Sequence, residues 1–349
     1  MSQSQGVRWR RGLRVVLSVA VVVAIFVGVL PQVADLSEVA RTVRALTGLE
    51  MATALAVAGW NLWSYWLVQV SSLPGLRVGQ AVVVTQSATS LANTVPAGAA
   101  VGVGVVYRMY TSWGFAPSAV TLSLLVSGIW NNLAKVAMPV VALGLLALQG
   151  DASVALVTAS LVGVVVLVAT IGSFAVALRS DRLARRVASA VEGGVSRIRR
   201  LVRRGAVTGW AERASTFRTE TIDLLGRRWL ALTASTVVSH LSLFAVLMVA
   251  LRHVGVSAAE VSTAEVLGAF AFVRLISALP VTPGGLGVVE LGLTAALVVA
   301  GGNEEPVVAG VLVYRALTYL LPIPLGALTY LWWRRRGGRR PAPAEAPTA

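Results

Sequence analysis

Arg274, Glu290 and Arg315 are charged side chains embedded in long apolar stretches, and Lys135 sits in similar company beside Asn131 and Asn132. A charge at the centre of a bilayer costs about 2.5 to 3.5 kcal/mol on insertion scales, so such residues are expected to be paired, to face a polar cavity, or both. A guanidinium is a planar fork of donors that fits a phosphate, whereas a carboxylate can take up a cation or a proton. Arg274 lies nine residues before Pro283 and Glu290 seven after it. On helical arms these positions are about 13 and 10 Å from the proline, a similar depth that allows the two to pair. Such a pair is either a structural lock between the arms or a ligand site, with Arg274 on a phosphate and Glu290 on a cationic group or proton. Arg315 is a second phosphate candidate, and all three are expected to line one cavity. Lys135 either faces the inward half of a polar path or snorkels and packs.

The elements that must position these groups are interrupted in a recurring way. Val95-Pro96-Ala97-Gly98 breaks one apolar stretch, and Thr282-Pro283-Gly284-Gly285-Leu286-Gly287 breaks another nearly 190 residues later. Such interruptions free backbone groups that hydrocarbon cannot satisfy, so they survive where protein or a watery cavity surrounds them. Matching breaks in two halves of a membrane chain point to a site at the midplane. Gly98 and Gly102, four apart, suit close helix packing rather than phosphate binding, since no nucleotide motif surrounds them.

Composition places the chain in a membrane. It is 56% hydrophobic and 13% charged over 349 residues, with mean hydropathy +0.77, and several stretches approach the roughly 20 apolar residues that span a bilayer. The net charge of +15 does not indicate nucleic acid, because the basic residues cluster beside hydrophobic spans. Without cysteine, and with only His240 and His253, the sequence provides for no disulfide, metal centre or cofactor. Both histidines are expected to be packing or interfacial residues.

Charge asymmetry sets an expected topology. With the arginine-rich N-terminus cytoplasmic, spans are expected at about 13–30, 49–70, 117–149, 153–178, 229–251 and 306–331, giving six full crossings. Of the 30 basic residues, 24 then fall on cytoplasmic segments, three outside (Arg41, Arg44, Arg252) and three within the membrane. The stretches 81–106 and 264–300 each start and finish on one side, with arms too short to cross comfortably, so each is expected to be a re-entrant hairpin. One enters from each face, and each precedes a proline-initiated long helix. That is the pattern of an inverted repeat.

Residues 179–228 hold thirteen arginines interleaved with apolar residues at spacings of three and four. The pattern suits amphipathic helices on an anionic inner leaflet, separated at Gly193-Gly194. Residues 1–336 form a single membrane domain on this reading, and 337–349 a disordered tail.

Pro283-Gly284-Gly285-Leu286-Gly287-Val288-Val289-Glu290, with Asn93-Thr94-Val95-Pro96-Ala97-Gly98 upstream and Tyr314-Arg315 in the last span, resembles the membrane region of lysylphosphatidylglycerol synthases, the flippase-like integral membrane proteins. The resemblance spans about residues 10 to 335 and implies movement of a lipid between leaflets, with Asn93 joining the substrate-binding candidates. Synthase activity does not carry over, because the sequence holds no soluble aminoacyl-transfer domain. The expectation is an all-α polytopic membrane protein that is a lipid translocase of the bacterial cell membrane, not an enzyme. Its partners would be a phospholipid or lipid-linked substrate and anionic inner-leaflet lipids. Alternatives are a proton-coupled secondary transporter of a small solute working at Glu290, and a membrane scaffold presenting a lipid-linked substrate to a partner enzyme.

Overall fold

The structure is a computed structural model describing residues 41, 43–95, 98–148, 154–201, 209–277 and 282–337. The expected first span at 13–30, the break residue Pro96 and the tail beyond 337 lie outside the described residues. The regular elements are all helical: α1 (Gly48–Ser72), α2 (Val78–Thr94), α3 (Gly98–Ser112), α4 (Pro117–Leu148), α5 (Val154–Arg179), α6 (Asp181–Leu201), α7 (Trp210–His253), α8 (Thr263–Ile276), α9 (Val288–Val299), α10 (Glu304–Arg315) and α11 (Pro322–Gly337). A 3₁₀ turn at Pro283–Gly285 precedes α9, and a π turn at Ala316–Leu320 joins α10 to α11.

Local chemistry sets most boundaries. Thr47 caps α1 and Ser262 caps α8, each accepting from the backbone of a glutamate three residues on whose carboxylate returns the bond. Pro117 occupies the first position of α4, where its missing N–H costs nothing. The π turn stands immediately before Pro322 and Pro324, which cannot donate to the helix ladder.

Three stretches among the described residues are long and apolar enough to cross a membrane: Pro117–Leu148, Ser215–His253 and Glu304–Arg335. Helix α1 also has the length, about 37 Å, but Asn61, Ser64 and Gln69 dilute its apolar character. Three buried clusters hold the described bundle together. One joins α1, α4 and α7 to α8, α9 and α10 around Leu247, Phe270, Leu293 and Leu297; a second gathers α1 to α4 around Val84, Met109 and Tyr110; the third ties α4 to α7 through Val126 and Leu232. Large apolar residues on the outward faces of α5, α7 and α11, such as Val165, Leu230 and Leu328, are exposed, as lipid-facing positions require.

The basic segment differs from expectation. Helix α6 runs through Gly193-Gly194 without a break, and residues from Trp210 onward belong to α7, a continuous helix of 44 residues. The two pack antiparallel: the Trp210 amide donates to Glu192 Oε2 at 2.8 Å, and Ser215 Oγ donates to Asp181 Oδ1 at 2.7 Å. Arg218 Nε donates to the Leu178 carbonyl at 2.6 Å, closing the C-terminal end of α5. Isolated glycines cost a helix only about 1 kcal/mol each, and docking against α7 outweighs that. Helix α3 also runs past the expected boundary, carrying Tyr107 and Arg108 on to Ser112.

Candidate functional site: two helix breaks, a cation pair and a polar cavity

The second break is a tight backbone device. Gly284, Gly285 and Gly287 have φ of 57°, 68° and 78°, a region that side chains strain to enter, which accounts for the glycine pattern after Pro283. The turn is locked from inside. Glu290, on the first turn of α9, accepts from the Gly287 amide through Oε2 at 2.7 Å and from Arg315 Nε through Oε1 at 2.7 Å. Arg315 Nη2 donates to the Gly284 carbonyl at 3.2 Å, and its guanidinium carbon lies 4.4 Å from the centre of the Tyr319 ring. The side chains of Arg315 and Glu290 are 11% and 3% exposed, so this is a buried pair with further hydrogen bonds to satisfy it.

The break between α2 and α3 abuts this turn. Tyr319 Oη donates to the Asn93 carbonyl at 2.6 Å, and Asn93 Nδ2 donates to the Tyr319 carbonyl at 3.1 Å. A Cβ on Gly284 would lie 2.7 Å from Asn93 Oδ1 and 2.5 Å from the Tyr319 ring. Behind the contact α2 and α11 touch along their length, with Ser90 donating to the Ile323 carbonyl and Ser87 bonded to Thr329. Gly98 starts α3 so near the end of α2 that a Cβ would sit 2.4 Å from the Leu91 carbonyl oxygen, and one on Gly102 would lie 3.1 Å from that of Ala88. Close packing is therefore the work of Gly98 and Gly102.

Arg274 stands apart from this lock. The expected pairing across the hairpin, Arg274 with Glu290, is not made, because Arg315 already occupies the free carboxylate oxygen. Arg274 Nε is buried and makes no hydrogen bond. Lys135 on α4 and His240 on α7 both lie within its electrostatic reach. Among the described residues no carboxylate forms a salt bridge with Arg274 or Lys135.

A cavity of about 350 Å³ opens between α1, α2, α3, α4 and α7. Arg274, Glu290, Arg315 and Lys135 do not line this cavity. Its polar lining is uncharged: Gln69, Thr85, Thr89, Asn131, Thr236 and His240 are among its residues, with Ala99 and Gly102 of α3 on its wall. Asn131 is one helical turn before Lys135, which places the cavity next to the cations.

The sequence marks none of Tyr319, Thr236 and Thr85, whose side chains are ordinary for membrane helices until the bundle brings them together. Of the two histidines on α7, His240 is on the cavity wall and His253 is not. No signal in one sequence marked Thr85 or Thr236, though Tyr319 stands one helical turn after Arg315 and could have been drawn from that spacing.

No curated protein matches the chain. The family model described as the lysylphosphatidylglycerol synthase TM region matches residues 15–326, a span that includes both breaks, the Glu290–Arg315 lock and the cavity. On that match the chain belongs to the lysylphosphatidylglycerol synthase membrane-region family.

Proposed function

We propose that the protein is a flippase-like lipid translocase that moves a phospholipid or lipid-linked headgroup between the leaflets of the bacterial cytoplasmic membrane, with no covalent chemistry and no cofactor. The observation that carries this reading is the buried, unbonded Nε of Arg274 with Lys135 within electrostatic reach. Two cations inside an apolar bundle, neither bridged by a described carboxylate, are stabilised by an anion, and a lipid phosphate supplies one. The family relation supports a lipid as the carrier of that phosphate.

The helix breaks supply the polar path. Arms α2, α3, α8 and α9 contain 17, 15, 14 and 12 residues, or about 25, 22, 21 and 18 Å, short of a hydrocarbon core of about 30 Å. We take them as two re-entrant hairpins entering from opposite faces, an inverted repeat whose tips meet at mid-depth. Six full crossings then come from residues 13–30, α1, α4, α5, the second half of α7, and α10 with α11. Both termini and the α6–α7 hairpin are cytoplasmic, where the arginines of that hairpin meet anionic inner-leaflet lipids. Both Glu290 oxygens are engaged, which weighs against proton-coupled solute transport at that carboxylate.

The test is lipid movement in vesicles. Purified protein reconstituted with fluorescently tagged phosphatidylglycerol should raise the fraction bleached by external dithionite above the half that protein-free vesicles show. Arg274→Gln and Lys135→Gln should bring it back. Equal bleaching with and without protein would refute the reading.

A further inference from the structure

The cavity is sealed at one end and open at one side. Its floor is the buried cluster where the α1–α2 and α3–α4 turns meet: Leu73 and Leu76 from the first turn, then Met109, Tyr110 and Val120, with Phe115 of the second turn packed against them. Tyr110 Oη donates to Gln69 Oε1 at 2.9 Å, and its ring centre lies 6.3 Å from that of Trp113 and 6.0 Å from that of Phe115. Gln69 and Val106, the latter one turn before Tyr110, line the cavity directly above this floor. At the other end lie Ala92 and Ala99, beside the break where α3 starts against the end of α2. The side is different. Val103 stands seven residues before Tyr110, two turns along the same flank of α3, yet it is 53% exposed where Tyr110 is 0% exposed. Helix α3 therefore closes onto α1 at the floor and leaves the same flank uncovered near the break, so that a slot opens between α3 and α4. Ala99, also on the cavity wall, is exposed, and a Cβ on Gly128, which lines the cavity from α4, would meet nothing within 4 Å.

We propose that the cavity is loaded sideways from the bilayer through this slot, by a lipid whose polar head enters between α3 and α4 while its acyl chains stay outside along Val103. The proposal rests on the translocase reading for its passenger and on the topology proposed above, in which the sealed floor faces the cytoplasm. Three observations carry it. The rim is apolar and the interior polar: Ala99, Val103 and Leu124 stand at the slot, and Gln69, Thr89 and Asn131 lie within. The two amides are open to a ligand. Tyr110 takes the Gln69 oxygen, no described residue bonds the Gln69 N–H donors or the Asn131 amide, and both side chains are half-buried rather than enclosed. The depth suits a head drawn in from the inner leaflet, since Leu124 to Asn131 lie seven to fourteen residues into α4, about 10 to 21 Å from its start. A water-soluble substrate would need an aqueous mouth, and the floor closes that end.

The experiment places one thiol in the cavity of the cysteine-free protein. Ser127→Cys is close to isosteric at a position that lines the cavity. Val168→Cys is the control, on the outer face of α5, where Val168 is 62% exposed. Ser127 lies ten residues from the start of α4 and Val168 eleven from the end of α5, about 15 and 16 Å, so the two share a depth. Each variant is reconstituted in vesicles of phosphatidylcholine and phosphatidylglycerol that contain a phospholipid carrying maleimide on its headgroup. The lipid should alkylate Ser127→Cys about tenfold faster than Val168→Cys, because the slot brings the head to the thiol. A charged, water-soluble maleimide on both sides of the vesicles should show no such preference. Adding Val103→Trp, which fills the slot, should slow the lipid reaction of Ser127→Cys about tenfold, with circular dichroism unchanged. Equal lipid labelling of the two thiols, labelling of neither, or a preference of the soluble reagent for Ser127→Cys would overturn the proposal, and so would a lipid reaction that Val103→Trp leaves unchanged. Because labelling needs no transfer between leaflets, a protein that reacts as expected yet moves no lipid in vesicles refutes the translocase reading alone.

Discussion

Tyr319 and Asn93 exchange two hydrogen bonds across the helix breaks, hydroxyl to carbonyl at 2.6 Å and amide to carbonyl at 3.1 Å. Each residue sits at or beside a departure from the α-helix, and each carbonyl takes a donor from the other half of the protein. The exchange ties the end of α2 to the π turn before α11. Removing the hydroxyl with Tyr319→Phe keeps the ring that stacks on Arg315 and deletes one bond, an expected loss of about 1 kcal/mol. A cycle of Tyr319→Phe, Asn93→Ala and the double change, followed by thermal unfolding in detergent, should give a coupling of about 0.5 to 3 kcal/mol. A coupling of zero would mean that the halves are not joined here.

Gly326 marks the closest helix approach. A Cβ there would lie 2.0 Å from the Gln86 carbonyl oxygen and 2.4 Å from Ser90 Cβ, both on α2. Neither can yield without moving a helix, so Gly326→Ala should reduce membrane abundance severely. Gly104→Ala and Gly128→Ala, where a Cβ meets nothing within 4 Å, should leave abundance unchanged. Immunoblotting of membrane fractions decides between them.

Asp181 clamps α6 onto α7. Its carboxyl is held below the usual carboxylate range, chiefly by the hydrogen bond from Ser215 and then by that from Arg185. A depressed folded-state pKa gives stabilisation that is present above the unfolded value and lost as pH falls through the folded one. The separation between spin labels on α6 and α7 should therefore be narrowly distributed at pH 7 and broaden below about pH 4. Asp181→Asn should give the broad distribution at both.

The absence of native cysteine makes orientation directly readable. Thr219, exposed on the first half of α7, is cytoplasmic in the proposed topology. Thr219→Cys should resist a membrane-impermeant maleimide in intact cells and react after permeabilisation. Reaction in intact cells would invert the orientation.

How much of this was legible in the sequence follows from what each signal depends on. The breaks at Val95 and Pro283 were visible because proline and consecutive glycines alter the backbone wherever they occur, and most helix limits fell within a few residues of expectation. The partner of Glu290 was not visible. Spacing along one hairpin placed Arg274 at a suitable depth, but depth leaves the direction around the helix open, and Arg315 arrives from another element altogether. Gly193-Gly194 misled for a related reason: a glycine pair lowers helix propensity by a small amount, and the docking of α6 on α7 through Asp181, Glu192 and Ser215 overrides it. The cavity around His240 was invisible, since it exists only where five helices converge.

The Glu290–Arg315 lock and the Arg274–Lys135 cations make opposite predictions under substitution. Glu290→Gln or Arg315→Gln leaves one buried charge without its partner, an expected cost of about 3 to 5 kcal/mol, whereas removing both charges together can be nearly neutral. Each single variant should therefore fall in membrane abundance and thermal stability, and the Glu290→Gln, Arg315→Gln double variant should recover much of both. Arg274→Gln relieves an unpaired cation, so abundance should hold or rise while lipid movement in vesicles is lost. The three outcomes separate fold from function at neighbouring charges. Lipid movement unchanged in Arg274→Gln would remove the phosphate site from the proposed path, and a double variant no better than either single would show that Glu290 and Arg315 act beyond their mutual pairing.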